Sequence, residues 1–494
     1  MTHLTTPSEA TSAEAAAPAD VAPAAASAPT TAHAPQRTTR GSLQAKPLTL
    51  DELRRLTEAG EIDTVVVAVT DAQGRLQGKR LGAQFFLDDV AGHGSEACNY
   101  LLAVDVDMNT VDGYEMSSWE TGYGDMVMQP DLATLRLIPW QPGTAMVNCD
   151  LLWTTGAEVT ASPRQILKKQ LDRLAEAGMT AHVGTELEFI TFDTSYEDAF
   201  NSRYAQMTPA NQYNVDYSLL GTARIEPLLR DIRNSMAGAG LYVEGAKGEC
   251  NFGQHEITFR YQQALKACDD HAVYKNGAKE IAAQHGKSIT FMAKYDQKEG
   301  SSCHIHLSFR SADGDMVMAG DGEHGFSPLM EHFIAGQLAC IEDFTYFFAP
   351  NINSYKRFVE GSFAPTAVAW GFDNRTCAFR VVGSGPSLRV ECRVGGADLN
   401  PYLAAAALIA AGLHGIENKL ELPPITEGNA YATGAERLPT TLTGARDLLE
   451  NSVIAKEAFG EDVVRHYVHA ADIELDAYNA TVTDWERIRG FERL

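Results

Sequence analysis

The chain has 494 residues, 45% of them hydrophobic, and a formal net charge of −25. That length suffices for two domains around a sizeable core. The acidic balance argues against nucleic acid and anionic membrane as partners, although a local arginine cluster can still hold ATP. No apolar run reaches about 18 residues, so no transmembrane span is expected. The eight cysteines are scattered without a C-x-x-C pair, which suits reduced, buried thiols and a cytoplasmic location better than a disulfide framework.

In chain order, residues 1–47 are rich in Ala, Pro, Thr and Ser and almost lack large apolar side chains. Such a segment cannot offset its ordering entropy, so a disordered tail is expected. It has no basic start followed by an apolar stretch, so it does not read as a signal peptide. Leu48–Gly60 reads as a short helix. Thr64–Phe86 reads strand, turn, strand, with turn chemistry at Asp71–Gly74. Short strands and loops continue to about Asp150. Ser162 and Pro163 form a cap and first-turn pair ahead of a helical stripe (Ile166, Leu167, Leu171, Leu174) that ends at Gly178. Phe192–Tyr217 is polar and aromatic and reads as a long loop. Helices are expected over Ile225–Ala237, Ala264–His285 and Pro328–Phe348. Another opens at Asn400-Pro401 and is alanine-rich, which suggests tight helix packing. The remainder is helical with polar turns.

Four strand-like stretches carry the chemistry. Ala181–Ile190 alternates, with Val183, Leu187 and Phe189 on one face and Glu186 and Glu188 on the other. Two adjacent carboxylates repel unless they are solvated or share a cation, and this strand alone leaves both readings open. Ser302–Ser308 puts His304, His306 and Ser308 opposite Cys303, Ile305 and Leu307. Leu388–Arg393 puts Arg389, Glu391 and Arg393 opposite Leu388, Val390 and Cys392. In Glu249–Arg260 the odd spacing of Glu249 and Glu256 would send them to opposite faces of an ideal strand, and a bulge at Gly253 is expected to restore their parity.

The ordered series T-E-L-E-F, E-C-N-F-G-Q-H-E, G-S-S-C-H-I-H-L-S, N-S-Y-K-R, N-R-T-C-A-F-R and R-V-E-C-R…D-L-N-P-Y-L-A resembles the signature motifs of the glutamine synthetase family. The resemblance spans about Leu48 to Leu494. It implies an α+β fold: a β-grasp domain over 48–150, and over 151–494 a catalytic domain whose curved antiparallel sheet is flanked by helices. It also implies two Mg²⁺ or Mn²⁺ ions per site, one on Glu188, Glu249 and Glu256 and the other on Glu186, His304 and Glu391. ATP would meet Glu244, His306, Ser308, Arg375, Arg380 and Arg389. Arg375 and Arg380 would stabilise the transferring phosphoryl group. Gly300, Arg357 and Arg393 would bind L-glutamate. A homododecamer is implied, in which the small domain of one subunit closes its neighbour's site.

The sequence departs from the ammonia-using members at two places. Where those have an F-D-G-S-S-like segment, this chain has Gly113–Asp125, in which Glu115 is the candidate stand-in for the catalytic aspartate. Where they have G-Y-E-A-P, this chain has Gly361-Ser362-Phe363-Ala364-Pro365. Phe363 cannot accept a proton but can pack on the methylenes of an organic amine. A third, smaller departure is Glu299, which stands where Asn usually precedes the glycine at position 300. Tyr431, in G-N-A-Y, lies near where some relatives are adenylylated; such control is not expected here. The sequence looks closest to the actinobacterial group that makes γ-glutamyl amides of ethanolamine or polyamines. The expectation is therefore an ATP-dependent γ-glutamyl–amine ligase, with ethanolamine favoured and polyamines next. The alternatives are an ammonia-using glutamine synthetase and a non-catalytic nucleotide-binding homologue.

Overall fold

The computed structural model describes residues 44–494. The expected tail thus lies outside the described residues except for 44–47. There Gln44 Nε2 donates to Gly240 O at 2.8 Å and Ala45 N–H to Ala237 O at 2.9 Å, so the chain is anchored slightly earlier than its composition suggests.

Among the described residues the strands form two sheets. In the first, β1 (Thr64–Thr70) and β2 (Leu76–Gly82) make the expected hairpin, with Gly74 N–H donating to Asp71 O at 3.0 Å in its turn. The order is completed by β3 (Ser95–Cys98), β4 (Asp125–Pro130), β5 (Arg136–Leu137) and β6 (Thr144–Trp153). β6 lies parallel to β1 and antiparallel to β4 and β5. Leu53, Val65, Val67, Phe86, Met126, Met128 and Val147 fill the core of this part.

The second sheet runs β13 (Trp370–Phe372), β14 (Phe379–Val382), β15 (Arg389–Cys392), β12 (Cys303–Ser311), β7 (Met179–Phe192), β9 (Gln254–Phe259), β8 (Val243–Gly248). It is antiparallel except for its outer β13–β14 pair, which is parallel. The short strands β10 (Gln262–Gln263) and β11 (Ser288–Thr290) also pair with β7. Val183, Leu187 and Phe189 of β7 and Cys303, Ile305 and Leu307 of β12 are all at most 2% exposed. Each large apolar side chain buried there contributes roughly 1.5–3 kcal/mol. A slip of one residue would exchange those side chains for carboxylates and imidazoles, so the apolar face fixes the register of the polar one.

Behind the sheet lie the helices Ala264–Gln284, Pro328–Phe348 and Pro401–Asn418. The last two approach closely, as the alanine run predicts. A Cβ on Gly336 would meet Ala411 O at 2.1 Å, and one on Gly415 would meet His332 O at 2.0 Å. Arg164 binds the two sheets' surroundings together, bridging Asp131 at 2.6 Å, Asp150 at 2.5 Å and Asp269 at 3.0 Å. Among the described residues every cysteine is a free thiol, and no helix is long and apolar enough to cross a membrane.

Candidate active site

The long strand β7 organises the site. Across its ladder with β12, His304 lies opposite Glu186; across its ladder with β9, Glu256 lies opposite Glu188. Further out, Glu391 lies opposite His306, Arg380 opposite Glu391, and Lys247 opposite Glu256. Directly opposed residues share a face, and neighbouring strands sit about 4.8 Å apart. The result is a continuous row of acids, imidazoles and guanidiniums on one side of the sheet.

Two cavities open onto this face and share Glu186. The first, about 300 Å³, holds both acid clusters together with Gly300, Arg357, Phe363, Arg375, Arg380 and Arg393. The second, about 320 Å³, holds Glu244, His306, Ser308 and Arg389. The first cavity thus holds the expected metal and glutamate residues together with Arg375 and Arg380, the second holds the other expected nucleotide residues, and Glu186 lines both.

The first cavity holds the two expected trios, Glu186/His304/Glu391 and Glu188/Glu249/Glu256, and a third group, Asp216/Glu249/Cys250, shares Glu249 with the second. Within each, the possible ligand atoms lie within 4.8 Å of one another. Burial, and then the charge of Glu249, push the Glu188 carboxyl up to about 7. Burial, and then Glu186, hold Glu256 well above the usual carboxylate range. Ionising all three carboxyls of this second trio would leave more negative charge than its surroundings neutralise, which is the condition a divalent cation relieves. In the other trio burial also opposes ionisation of Glu186, but hydrogen bonds from His304 and His306 outweigh it and keep the carboxyl well below its usual range. His304 Nδ1 lies 3.3 Å from Glu186 Oε2 and 3.5 Å from Glu391 Oε1. Burial, and then Arg393, push His304 down to about 4, so its imidazole is neutral and fit to be a ligand. Hard oxygens with one nitrogen suit Mg²⁺ or Mn²⁺.

Glu249 and Glu256 reach the same trio by a different route from the expected bulge. They belong to two strands joined by a turn. Glu249 follows β8, Glu256 lies within β9, and Glu249 N–H donates to Gln254 O at 2.9 Å across the turn. Gly253 takes φ +68° there, where a Cβ would meet Thr191 O at 2.5 Å. The glycine is needed, but as a turn residue rather than a bulge.

The arginines are held by acids and carbonyls. Arg380 reaches Glu391 Oε2 at 2.7 Å and Asp373 Oδ1 at 2.5 Å. Arg375 is half exposed, 3.9 Å from Asp373. Arg393 lies 2.5 Å from Glu391 Oε1. Arg357 is buried and spends two donors on Val394 O (2.9 Å) and Arg393 O (2.8 Å). A Cβ at Gly300 would meet Ala293 O at 2.5 Å and Arg357 Cγ at 2.8 Å, so the glycine lets Arg357 reach the cavity. Glu115 is elsewhere within this subunit. It pairs with Arg465 at 3.0 Å beside a different cavity, against the helix Glu461–Ala480.

Several residues at the site escaped the sequence reading. Lys247 pairs with Glu249 inside the cavity. Ser302 donates from both N–H (2.8 Å) and Oγ (2.7 Å) to Glu188, and Gln254 Nε2 donates to it at 3.1 Å. Asp373 holds Arg380. Gln254 and Ser302 lie inside quoted motifs, so the signal was present; Lys247 and Asp373 matter only through what faces them.

Comparison with known proteins agrees with this geometry. Residues 160–489 match the family model of the glutamine synthetase catalytic domain. The chain belongs to the glutamine synthetase family, and is accordingly a ligase of small-molecule substrates that uses ATP and a divalent metal. A gamma-glutamylethanolamide synthetase of Streptomyces coelicolor, GlnA4, is 64% identical over 448 residues, covering 91% of this chain and 96% of that protein. A glutamate–isopropylamine ligase of a Pseudomonas species is 37% identical over 444 residues, covering 89% and 97%. Among solved structures, a GmaS/ADP complex superposes with a TM-score of 0.79 at 27% identity, covering 89% of this chain and 99% of that one.

Proposed function

We propose that the protein is an ATP-dependent γ-glutamyl–amine ligase, with ethanolamine as the favoured acceptor and polyamines next. The observation that carries this reading is that Phe363 lines the same cavity as both acid trios and the substrate arginines. An apolar ring thus stands where the ammonia-using members keep a proton-accepting glutamate. The strong likeness to a gamma-glutamylethanolamide synthetase supports the choice of amine.

Two Mg²⁺ or Mn²⁺ ions, one per trio, would neutralise the ATP phosphates. Glu244, His306, Ser308 and Arg389 hold the nucleotide from the second cavity. Gly300, Arg357 and Arg393 orient glutamate so that its γ-carboxylate faces the terminal phosphate. A γ-carboxylate oxygen attacks that phosphorus, and ADP leaves. Arg375 and Arg380 offset the charge on the transferring group, whose planar oxygens match a guanidinium fork. The nitrogen of the amine then attacks the carbonyl carbon of γ-glutamyl phosphate, phosphate departs and the amine's proton is lost. Activation divides one difficult amide-forming step into two easier ones. Phe363 covers the methylenes of the amine and keeps water from the acyl phosphate.

The functional division falls near residue 150, with a small domain over 48–150 and the catalytic domain over 151–494. A cytoplasmic dodecamer fits this reading, and Glu115 would act only in the site of a neighbouring subunit. The test is an amine panel: purified protein, glutamate and MgATP with ethanolamine, putrescine, isopropylamine or ammonium, read by phosphate release. Release with ethanolamine well above that with ammonium supports the reading; release with ammonium alone rejects it.

A further inference from the structure

The loop Gly361–Pro365 holds Phe363 at φ +59°, with the residue 57% exposed at the cavity mouth. A left-handed backbone crowds the Cβ of every residue but glycine, and phenylalanine lacks the short polar side chain that eases this conformation in asparagine. Such a turn persists only where its surroundings over-determine it, and outliers of this kind gather at ligand sites.

The carbonyls of the loop show what holds it. Arg393 Nη2 reaches Phe363 O at 3.4 Å, and Tyr431 Oη donates to Ala364 O at 2.9 Å. Tyr431 is only 8% exposed. It is itself fixed from behind: its N–H donates to Asn429 Oδ1 at 3.1 Å, and its carbonyl accepts from Arg437 Nη2 at 2.9 Å. Arg437 Nη1 donates to Thr366 Oγ1 at 2.8 Å, and Ala367 and Arg437 form a β-bridge. The segment Asn429–Arg437 therefore grips the far end of the Phe363 loop at several points. It reaches a carbonyl of the turn itself through the Tyr431 hydroxyl, which is buried and donates to Ala364 O, while Arg437 also lies 3.6 Å from Glu360 just before the turn.

We propose that Tyr431 is a positioning residue that sets acceptor choice by fixing the turn that presents Phe363. This rests on the γ-glutamyl–amine ligase reading. Without the hydroxyl, the Ala364 carbonyl loses its buried partner and the Phe363 backbone relaxes to negative φ. The ring then leaves the cavity mouth, the amine loses its apolar contact and water gains access to γ-glutamyl phosphate. The nucleotide cavity, which neither residue lines, is unaffected.

The experiment is a double-mutant cycle with Y431F, F363A and the double variant, read by phosphate release at varied ethanolamine and varied ATP, and without amine. Loss of one buried hydrogen bond predicts that Y431F raises the KM for ethanolamine about tenfold and leaves that for ATP within about twofold. In the F363A background the same substitution adds less than about twofold, because it acts through the ring that is already gone. An unchanged KM for ethanolamine in Y431F, or the same factor in both backgrounds, overturns the proposal. Should Y431F fail to fold, R437Q loosens the same clamp and is expected to shift the ethanolamine KM in the same direction; no shift overturns the proposal equally. A wild-type enzyme inert toward every amine sinks the ligase reading itself, whereas an active wild type matched by Y431F sinks only the role of Tyr431.

Discussion

Ser302 holds both oxygens of Glu188, its N–H at 2.8 Å from Oε2 and its Oγ at 2.7 Å from Oε1. Ser302 follows Gly300 by two residues and precedes the strand that carries His304. One short stretch thus ties Gly300, one acid trio and the other trio's imidazole into a single unit. Groups that orient a metal ligand count nearly as much as the ligand. Ser302→Ala keeps the N–H bond and removes the hydroxyl. The expected outcome is Mn²⁺ affinity about tenfold weaker by calorimetric titration, with the fold unchanged by circular dichroism.

Arg380 bridges Glu391 and Asp373 through different nitrogens. A lysine has one ammonium on a flexible stem and cannot make that bridge. Arg380→Lys should lower kcat by on the order of 10²–10³, the loss typical of removing a donor aimed at developing charge, with the KM for glutamate little changed. Steady-state kinetics at saturating ATP checks this.

Phe363→Glu restores the charge found at this position in the ammonia-using members. Phe363 is more than half exposed at the cavity mouth, so its ring is free to meet the methylenes of an amine. The two methylenes of ethanolamine are worth about 0.8 kcal/mol each, together roughly tenfold in selectivity. The ratio of kcat/KM for ethanolamine to that for ammonium should fall by at least that factor.

The pH dependence of stability follows from two buried histidines that belong to neither acid trio. Burial lowers His271 to about 3 and His466 to about 4. Both are neutral in the folded protein, whereas in the unfolded chain they titrate near pH 6.5. Below about pH 6.5 the unfolded chain binds protons that the native state refuses. Stability present above that pH is therefore lost as pH falls, by up to about 1.4 kcal/mol per pH unit per histidine, until the folded values are reached. Urea unfolding at pH 7.5 and 5.5 should show this loss, and His466→Phe should reduce it.

How much of this was legible in the sequence depends on where the information lay. Alternation in β7, β12 and β15 placed Glu186, Glu188, His304, His306, Arg389 and Glu391 on one face, because burying Leu187, Ile305 and Val390 leaves no other choice. The helices opening at Pro163 and Asn400-Pro401 were legible for local reasons, since first-turn prolines and caps act within one turn; the Asn400 side chain accepts from Tyr402 N–H, whereas Ser162 makes no side-chain cap bond and its helix start rests on Pro163. Glu249 and Glu256 were assigned to the correct cluster by family resemblance but given the wrong local path, since a Gly in a polar stretch reads equally as bulge or turn. Contacts between neighbouring strands and loops were not legible. Lys247 facing Glu256, Asp373 gripping Arg380 and Tyr431 beneath Ala364 depend on which segments turn back on one another, whether seven residues apart or sixty-seven, and local pattern does not encode that. The parallel β13–β14 pair was missed for the same reason.

The central claim is that this acid-lined cavity joins glutamate to an organic amine rather than to ammonia. The most direct measurement is a competition: wild-type protein with glutamate, MgATP and equal concentrations of ethanolamine and ammonium, its products identified by mass spectrometry. The account predicts γ-glutamylethanolamide as the dominant product, formed in step with ADP and phosphate. Glutamine as the sole product would contradict it.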